Sequence, residues 1–271
     1  MRFNAKVATA KRLLKVVQII MKIKNDCILH IAPDATKFII TSDANDTMQV
    51  WTEAKTYLFF EETVIASLNH NMIAMQIQLH HLKQVLQSAV NVNGDTLVRL
   101  RKKDGSNVPF LTFTITQSSR SLFLTQDIPV VVLSAQILSG FVEPVLPTNN
   151  LNFFMPALKH VQNVVEKMKN ISDHLTIEVN TNSTQALCFS VETGTGSIKT
   201  FYDISYPELG NPIPPDVSAT VKVDIKKFLK TLQSHQIEAN HVVCCVYEGS
   251  SLVLHVMQRD LTISYYLPLI Y

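Results

Sequence analysis

The chain of 271 residues is poor in glycine and cysteine, with seven of the former and four of the latter. The glycines form no phosphate-cradling loop of the type Gly-x-x-x-x-Gly-Lys, and neither a Gly-x-Ser-x-Gly elbow nor a His-Glu-x-x-His motif occurs. Cys27, Cys188, Cys244 and Cys245 follow no regular spacing, which favours a reducing compartment over a disulfide framework. We therefore expect no catalytic residue and no cofactor.

Long hydrophobic runs are also missing. No apolar run approaches the roughly 18 residues that suggest a membrane span, and the first residues lack the apolar core of a signal peptide. We expect a soluble intracellular protein whose sequons at Asn45, Asn170 and Asn182 meet no glycosylation enzyme. His241, Cys244, Cys245 and His255 are the nearest approach to a metal cluster. They fall on predicted strands whose neighbours alternate faces, so no metal site is expected.

What the chain does contain is a fourfold pattern of amphipathic helices, at about 9–24, 80–91, 156–170 and 224–235. Asp224 is placed as the N-cap of the last helix, and Pro156 stands at a plausible first-turn position of the third. Three helices read Leu-Lys-x-(Val or Leu)-Gln, and the second has Gln84 where the others have lysine. The matching positions 15, 84, 159 and 230 are separated by 69, 75 and 71 residues. This near-constant period predicts four copies of one supersecondary unit.

Short strands separated by turn residues follow each helix. The predicted strands are 27–31, 37–41 and 48–52, then 96–101, 110–116 and 121–126, then 175–179, 186–191 and 198–202, and finally 242–247, 252–257 and 261–267. A strand before each helix completes a βαβββ unit, so the predicted class is α+β, with mainly antiparallel sheets and helices on one face. A proline-containing stretch from Asp127 to Asn150 breaks the rhythm. It predicts domains at 1–130 and 150–271, joined by a connector at 131–149.

Charge is distributed very unevenly, although the whole chain carries only +2. The four helical segments hold twelve basic and two acidic residues, a net charge of +10, whereas the remainder carries −8. Lys11, Lys15, Gln18 and Lys22 form one stripe opposite the apolar side of the first helix. A basic face with an acidic remainder is typical of a protein that binds a polyanion. We predict DNA contact by Lys11, Arg12, Lys15, Lys22, Lys83, Lys159, Lys167, Lys226, Lys227 and Lys230.

The residue types indicate how such a face would bind. Lysine outnumbers arginine on the helices and no aromatic residue is interleaved with the lysines, so base stacking is not expected. Phosphate contacts of this kind hold a duplex without reading its sequence. On any single helix the same lysines are more often just a solvated face, and an adaptor for acidic proteins or membrane head groups is a competing hypothesis.

In this layout the chain resembles the PCNA-like sliding clamps, and within them the Hus-type subunits of the nine-one-one checkpoint clamp. The most specific segment is 164–175, Val-Val-Glu-Lys-Met-Lys-Asn-Ile-Ser-Asp-His-Leu, and supporting stretches are 2–6, 127–129, 143–147, 209–212 and 265–268. The resemblance covers essentially the whole chain. A homotrimeric replication clamp shares the same fold and is the main alternative; an enzyme is the third class.

The resemblance implies a heterotrimeric ring with two Rad-type subunits. Such a ring encircles double-stranded DNA at damage sites, is placed there by a clamp loader and serves checkpoint and repair proteins in the nucleus, with a cytoplasmic pool possible. Helices line the hole of such rings and subunits join through edge strands. The matching interface residues here are Ser121, Leu122, Phe123 and Leu124 in the first domain, and Ser197, Ile198, Lys199, Thr200 and Phe201 in the second. The connector and the C-terminal strand would border a partner-binding surface.

Overall fold

The computed structural model describes residues 1–41, 48–102, 108–117, 122–146, 151–183, 186–194, 196–207 and 217–271. Asn45, Ser121, Pro147 and the segment 209–212, all named above, lie outside these ranges. The chain divides into two compact units, the first made of Met1–Thr41 with Trp51–Glu143 and the second mainly of Pro144–Tyr271. This division falls inside the expected connector, whose limits at 131–149 stay a prediction.

The first unit contains two antiparallel sheets and two long helices. Its elements are β1 (Arg2–Val7), α1 (Ala10–Ile20), β2 (Asp26–Ile31), β3 (Ala35–Ile40), β4 (Gln49–Lys55), β5 (Phe60–Ala66), β6 (Ile73–Gln78), α2 (Leu79–Val92), β7 (Asp95–Lys102), β8 (Pro109–Gln117), β9 (Leu122–Pro129), β10 (Val131–Val132) and the short helix α3 (Ala135–Leu138). One sheet has the order β5-β1-β7-β8-β9, and the other contains β10-β6-β2-β3-β4.

The second unit repeats this plan with fewer strands. Its elements are β11 (Leu151–Phe154), α4 (Leu158–Met168), β12 (His174–Asn180), β13 (Leu187–Thr193), β14 (Gly196–Tyr202), β15 (Ser218–Asp224), α5 (Ile225–Leu232), β16 (His241–Tyr247), β17 (Ser251–Gln258) and β18 (Leu261–Pro268). The sheets have the orders β14-β13-β12-β15 and β18-β17-β16-β11. All four predicted helices and all twelve predicted post-helix strands are present, with ends shifted by a few residues.

Within each unit the two βαβββ copies exchange their first strands. β1 pairs with β7 of the second copy, while β6 of the second copy pairs with β2 of the first. In the other unit β11 pairs with β16 and β15 with β12. One copy therefore cannot complete its own sheet, because the strand that pairs with its first post-helix strand comes from the other copy of the same unit. This exchange explains why the fourfold sequence pattern folds as two units and not as four.

The apolar stripes of the helices form the cores together with the inner sides of the sheets. Helix α1 lies against α2, and α4 against α5. Phe3, Phe38, Phe59 and Phe113 are fully buried in the first unit, and Phe153, Phe189, Phe228 and Tyr265 in the second. Each buried aromatic side chain removes about 150–250 Å² from water, so these residues dominate the burial energy of both cores. The polar sides of the helices are consequently left facing solvent.

Two expectations about local structure were wrong, and one strand was missed. Helix α1 ends at Ile20, because its last turn tightens to i→i+3 bonds from the Lys22 and Ile23 amides, so Lys22 and Lys24 lie beyond it. Pro156 precedes the third helix, whose N-cap is Ala157. The sequence analysis also missed β5, which pairs with β1 at the edge of the first sheet and carries the charged pair Glu61 and Glu62 directly after its first residue.

Candidate nucleic-acid interface

Helix α1 separates its apolar and basic sides cleanly. Leu13, Val16, Val17, Ile19 and Ile20 are buried. Lys11 and Arg12 are exposed on the opposite side, Lys15 and Gln18 are half-buried, and Lys22 is exposed in the turn that follows. The predicted basic stripe therefore exists, although its last member stands outside the helix. These side chains can reach an approaching anion without disturbing the core.

Helix α2 presents a nearly uncharged surface beside α1. Its exposed side chains are His80, Gln84, Gln87 and Asn91, and Lys83 is half-buried. At the start of the helix, the His80 amide donates to the Asn25 side-chain oxygen at 2.9 Å. The second copy was predicted to be the weakest in basic residues, and its exposed Gln84 stands at the position where the other three helices carry lysine. Amides donate and accept hydrogen bonds without adding charge.

The second unit carries a basic face on both helices. On α4, Lys159 and Lys167 are exposed, together with Glu166, which accepts a hydrogen bond of 2.6 Å from Gln162. On α5, Lys226 is exposed, and Lys227 and Lys230 are half-buried.

Asp224 caps the start of α5 as predicted. Its carboxylate accepts the backbone amides of Lys226 and Lys227 at 2.8 and 2.9 Å. The cap fixes the first turn of α5, and so it determines where the lysines of that helix emerge.

Lys226 forms an intramolecular ion pair that the sequence analysis did not predict. Its Nζ lies 2.7 Å from the Asp173 carboxylate, and both side chains are exposed. The hydrogen bond from Lys226, followed by its charge, holds the pKa of Asp173 below its ordinary value, and the same bond raises the pKa of Lys226. Any external anion at this position must compete with Asp173 for the Lys226 ammonium group. The two residues are 53 positions apart, and no local pattern links them.

The strands assigned to subunit contact are edges of their sheets, as predicted. Among the strands described, β9 pairs only with β8, and β14 only with β13. Their exposed apolar side chains include Phe123 at 68% of its maximal accessible surface, Ile198 at 44% and Phe201 at 48%. Leu122 begins β9, Leu124 and Thr200 are half-buried, and Ser197 and Lys199 are exposed. Unpaired edges with exposed aromatic residues favour association with another strand.

The four residues that came nearest to a metal cluster are engaged in packing. Cys244 is fully buried and desolvation holds the pKa of its thiol well above the ordinary value, while burial raises that of Cys245 to about 11. His255 contacts the Ser264 hydroxyl at 2.9 Å, and the His241 ring lies 5.5 Å from that of Phe154. In the described ranges no three His, Cys, Asp or Glu side chains are grouped so as to hold a metal ion.

A membrane-spanning helix was not expected from the sequence. None of the helices described here combines the length and the apolar character needed to cross a bilayer.

Comparison with known proteins gives consistent matches over the full length. The model of the Hus1-like protein family matches residues 1–271. The chain is 46% identical to the "Checkpoint protein hus1 homolog" of Dictyostelium discoideum, with 100% of this chain and 99% of the relative covered. It is 29% identical to the "Checkpoint protein HUS1" of Homo sapiens, with 99% of each covered. Among solved structures it is similar to the proliferating cellular nuclear antigen of Entamoeba histolytica, with a TM-score of 0.75, 13% identity and 99% of each chain covered. At that identity the likeness shows the fold alone, and it confirms the predicted PCNA-like architecture.

Proposed function

Because the chain belongs to the Hus1-like protein family, we propose that it is the Hus-type subunit of the nine-one-one checkpoint clamp. It assembles with two Rad-type subunits into a heterotrimeric ring that encircles double-stranded DNA at damage sites in the nucleus. The observation that carries the proposal is the family match over residues 1–271 on a clamp fold. The chain acts as a scaffold for checkpoint and repair proteins and performs no catalysis of its own.

DNA is held by charge at the surface of the helices. The exposed cations Lys11, Arg12, Lys159 and Lys167 contact phosphates one at a time. Each contact displaces a condensed counterion from the duplex, so affinity depends on salt and not on base sequence. Since single lysine–phosphate contacts break and reform easily, the ring can move along the duplex. Gln84 and Gln87 on α2 add hydrogen-bonding groups between the charged positions without adding charge that would raise the affinity for DNA.

Ring closure uses the two exposed sheet edges. β9 and β14 each lack a ladder partner on one side among the described strands, and each carries an exposed aromatic residue, Phe123 or Phe201. A strand from a neighbouring subunit supplies the missing backbone hydrogen bonds and covers the exposed phenylalanine side chain. This arrangement needs partners with complementary edges, which the two Rad-type subunits provide. A clamp loader then opens and closes one of these contacts.

Two measurements test the proposal. The mass of the purified assembly should correspond to one copy of this chain with two different partners. After loading, the assembly should be retained on circular duplex DNA and lost when the circle is cut, because a ring slides off free ends. A stable homotrimer of this chain would favour the replication-clamp alternative. If the assembly stayed bound after the circle was cut, an adaptor that simply adheres to polyanions would be favoured instead.

The predicted basic residues provide a second test. Replacing Lys11, Lys15, Lys226 and Lys230 together with alanine should weaken retention of the assembled ring on DNA. Replacing Lys226 alone should have a smaller effect than replacing Lys11, because Asp173 already occupies the Lys226 ammonium. Full retention by the fourfold variant would contradict the assignment of the helix faces as the DNA contact.

A further inference from the structure

A groove opens at one end of the first sheet, and none of its lining residues belongs to a helix. It has a volume of about 710 Å³ and is lined by Met1, by residues 100–102 at the end of β7, by Val108 and Pro109 at the start of β8, and by residues 130–132. Most of these side chains are apolar. Met1 retains 67% and Val131 60% of its maximal accessible surface. Large apolar side chains that stay exposed around one concavity are typical of an interaction surface.

The charged residues on the rim of the groove are all basic. Arg101 and Lys102 are exposed and belong to its lining, which includes no acidic residue among those described. The rim continues as a cluster of arginines on a solvent-exposed side of the sheet. Arg99 lies two residues before Arg101 on β7, so both side chains leave the same face.

The neighbouring strand extends this cluster. Asn4 of β1 pairs with Arg99, and the Arg99 Nε donates to the Asn4 side-chain oxygen at 3.1 Å. Arg2 precedes Asn4 by two residues and shares its face. Three of the six arginines in the chain are thus gathered here. Like charges on adjacent strands destabilise a sheet, and a bound anion would offset that cost.

The chemistry of this surface differs from that of the helices. The helix faces carry mainly lysine, a mobile point charge, whereas Arg2, Arg99 and Arg101 at and beside the groove carry guanidinium groups, which bind carboxylates through two parallel hydrogen bonds. Apolar walls offer nothing to a phosphate backbone, but they can enclose the side chain of a leucine, isoleucine or phenylalanine. Linear motifs that join an apolar anchor to acidic residues match both features.

We propose that the groove and the adjoining arginines form a docking site for a linear segment of another protein. That segment places one apolar side chain against Val108, Pro109 and Val131 and directs aspartate or glutamate carboxylates to Arg99 and Arg101. None of the lining residues belongs to a helix or to β9, although residues 130–132 directly follow the last residue of β9.

The experiment is a selection of random twelve-residue peptides displayed on phage. The full chain is used together with the subunits that co-purify with it. Enriched peptides are then synthesised with a fluorescent label, and their binding is measured by anisotropy. The expected consensus contains one large apolar residue and two or more acidic residues. Arg101→Glu should weaken binding about tenfold or more, because a charge-assisted bond is lost and a repulsion replaces it. Arg101→Lys should weaken it less, and Val131→Asp should abolish the apolar contribution.

Arg259→Glu is the matched control, because Arg259 is exposed in a turn of the second unit and carries the same charge. It should bind the peptides as the wild type does. Unchanged thermal unfolding of each variant shows that lost binding is not lost folding. The proposal is overturned if no enriched peptide depends on both Arg101 and Val131, or if the dependent peptides lack acidic residues. It is equally overturned if an oligonucleotide binds with the same dependence on Arg99 and Arg101, since the surface would then belong to DNA contact. Failure of ring assembly would appear in the mass measurement and leaves the peptide result unaffected.

Discussion

Removing three exposed cations from α1 and its following turn should change the salt dependence of DNA binding by a calculable amount. Lys11, Arg12 and Lys22 are exposed in the structure. If each contacts one phosphate, the slope of log K against log salt concentration should lose about 0.9 per residue, or about 2.7 in the triple alanine variant. Between about 50 and about 200 mM salt, wild-type affinity should then fall about 40-fold more than that of the variant.

The assay is equilibrium binding of the assembled ring to short linear duplexes over a series of salt concentrations. The matched control replaces Lys55, Lys222 and Arg259 with alanine, since these residues are also exposed and basic but lie outside the helices. It removes the same net charge and should leave the slope close to that of the wild type. If both triple variants lose the same slope, the effect comes from net charge and not from a DNA-contacting face. If the α1 variant keeps the full slope, the reasoning from the helix stripe fails.

Three further outcomes follow from particular contacts. Asp224→Ala should destabilise the second unit by about 1 kcal/mol in urea unfolding, because two amides lose their cap, and Asp224→Asn should restore most of that loss. Phe201→Asp should prevent co-purification of a partner subunit, whereas Tyr57→Asp, at another exposed aromatic residue, should not; equal loss in both would remove the edge assignment. The pKa of Asp173, held low by Lys226, should return toward its ordinary value in Lys226→Met, as followed by NMR. Because the folded-state pKa is the lower one, the stabilisation by this ion pair is complete above the ordinary carboxyl pKa and is lost as pH falls through the folded-state pKa. If the difference in unfolding free energy between the wild type and Lys226→Met did not change with pH, this prediction would be contradicted.

The helices illustrate which features can be predicted from local sequence. Asp224 was identified as a cap because an N-cap carboxylate acts on amides two and three residues ahead, and the structure shows those two bonds. The end of α1 was misplaced by four residues, since apolar periodicity continues through Met21 and Ile23 although the hydrogen bonds have already changed. β5 was missed because the charges of Glu61 and Glu62 obscure its alternation. Its strand conformation is stabilised by pairing with β1, a partner more than fifty residues away.

The clustering of basic residues on four amphipathic helices, and the three strands predicted after each helix, followed from the sequence because both depend on side-chain periodicity along one segment. The exchange of first strands between sister copies did not, because any edge of similar length can accept a strand and only the packed cores select one. The same holds for the engagement of Lys226 by Asp173, and for the groove that unites Met1 with residues 100–102, 108–109 and 130–132. These features bring together residues far apart in the chain, so they exist only once the sheets have formed.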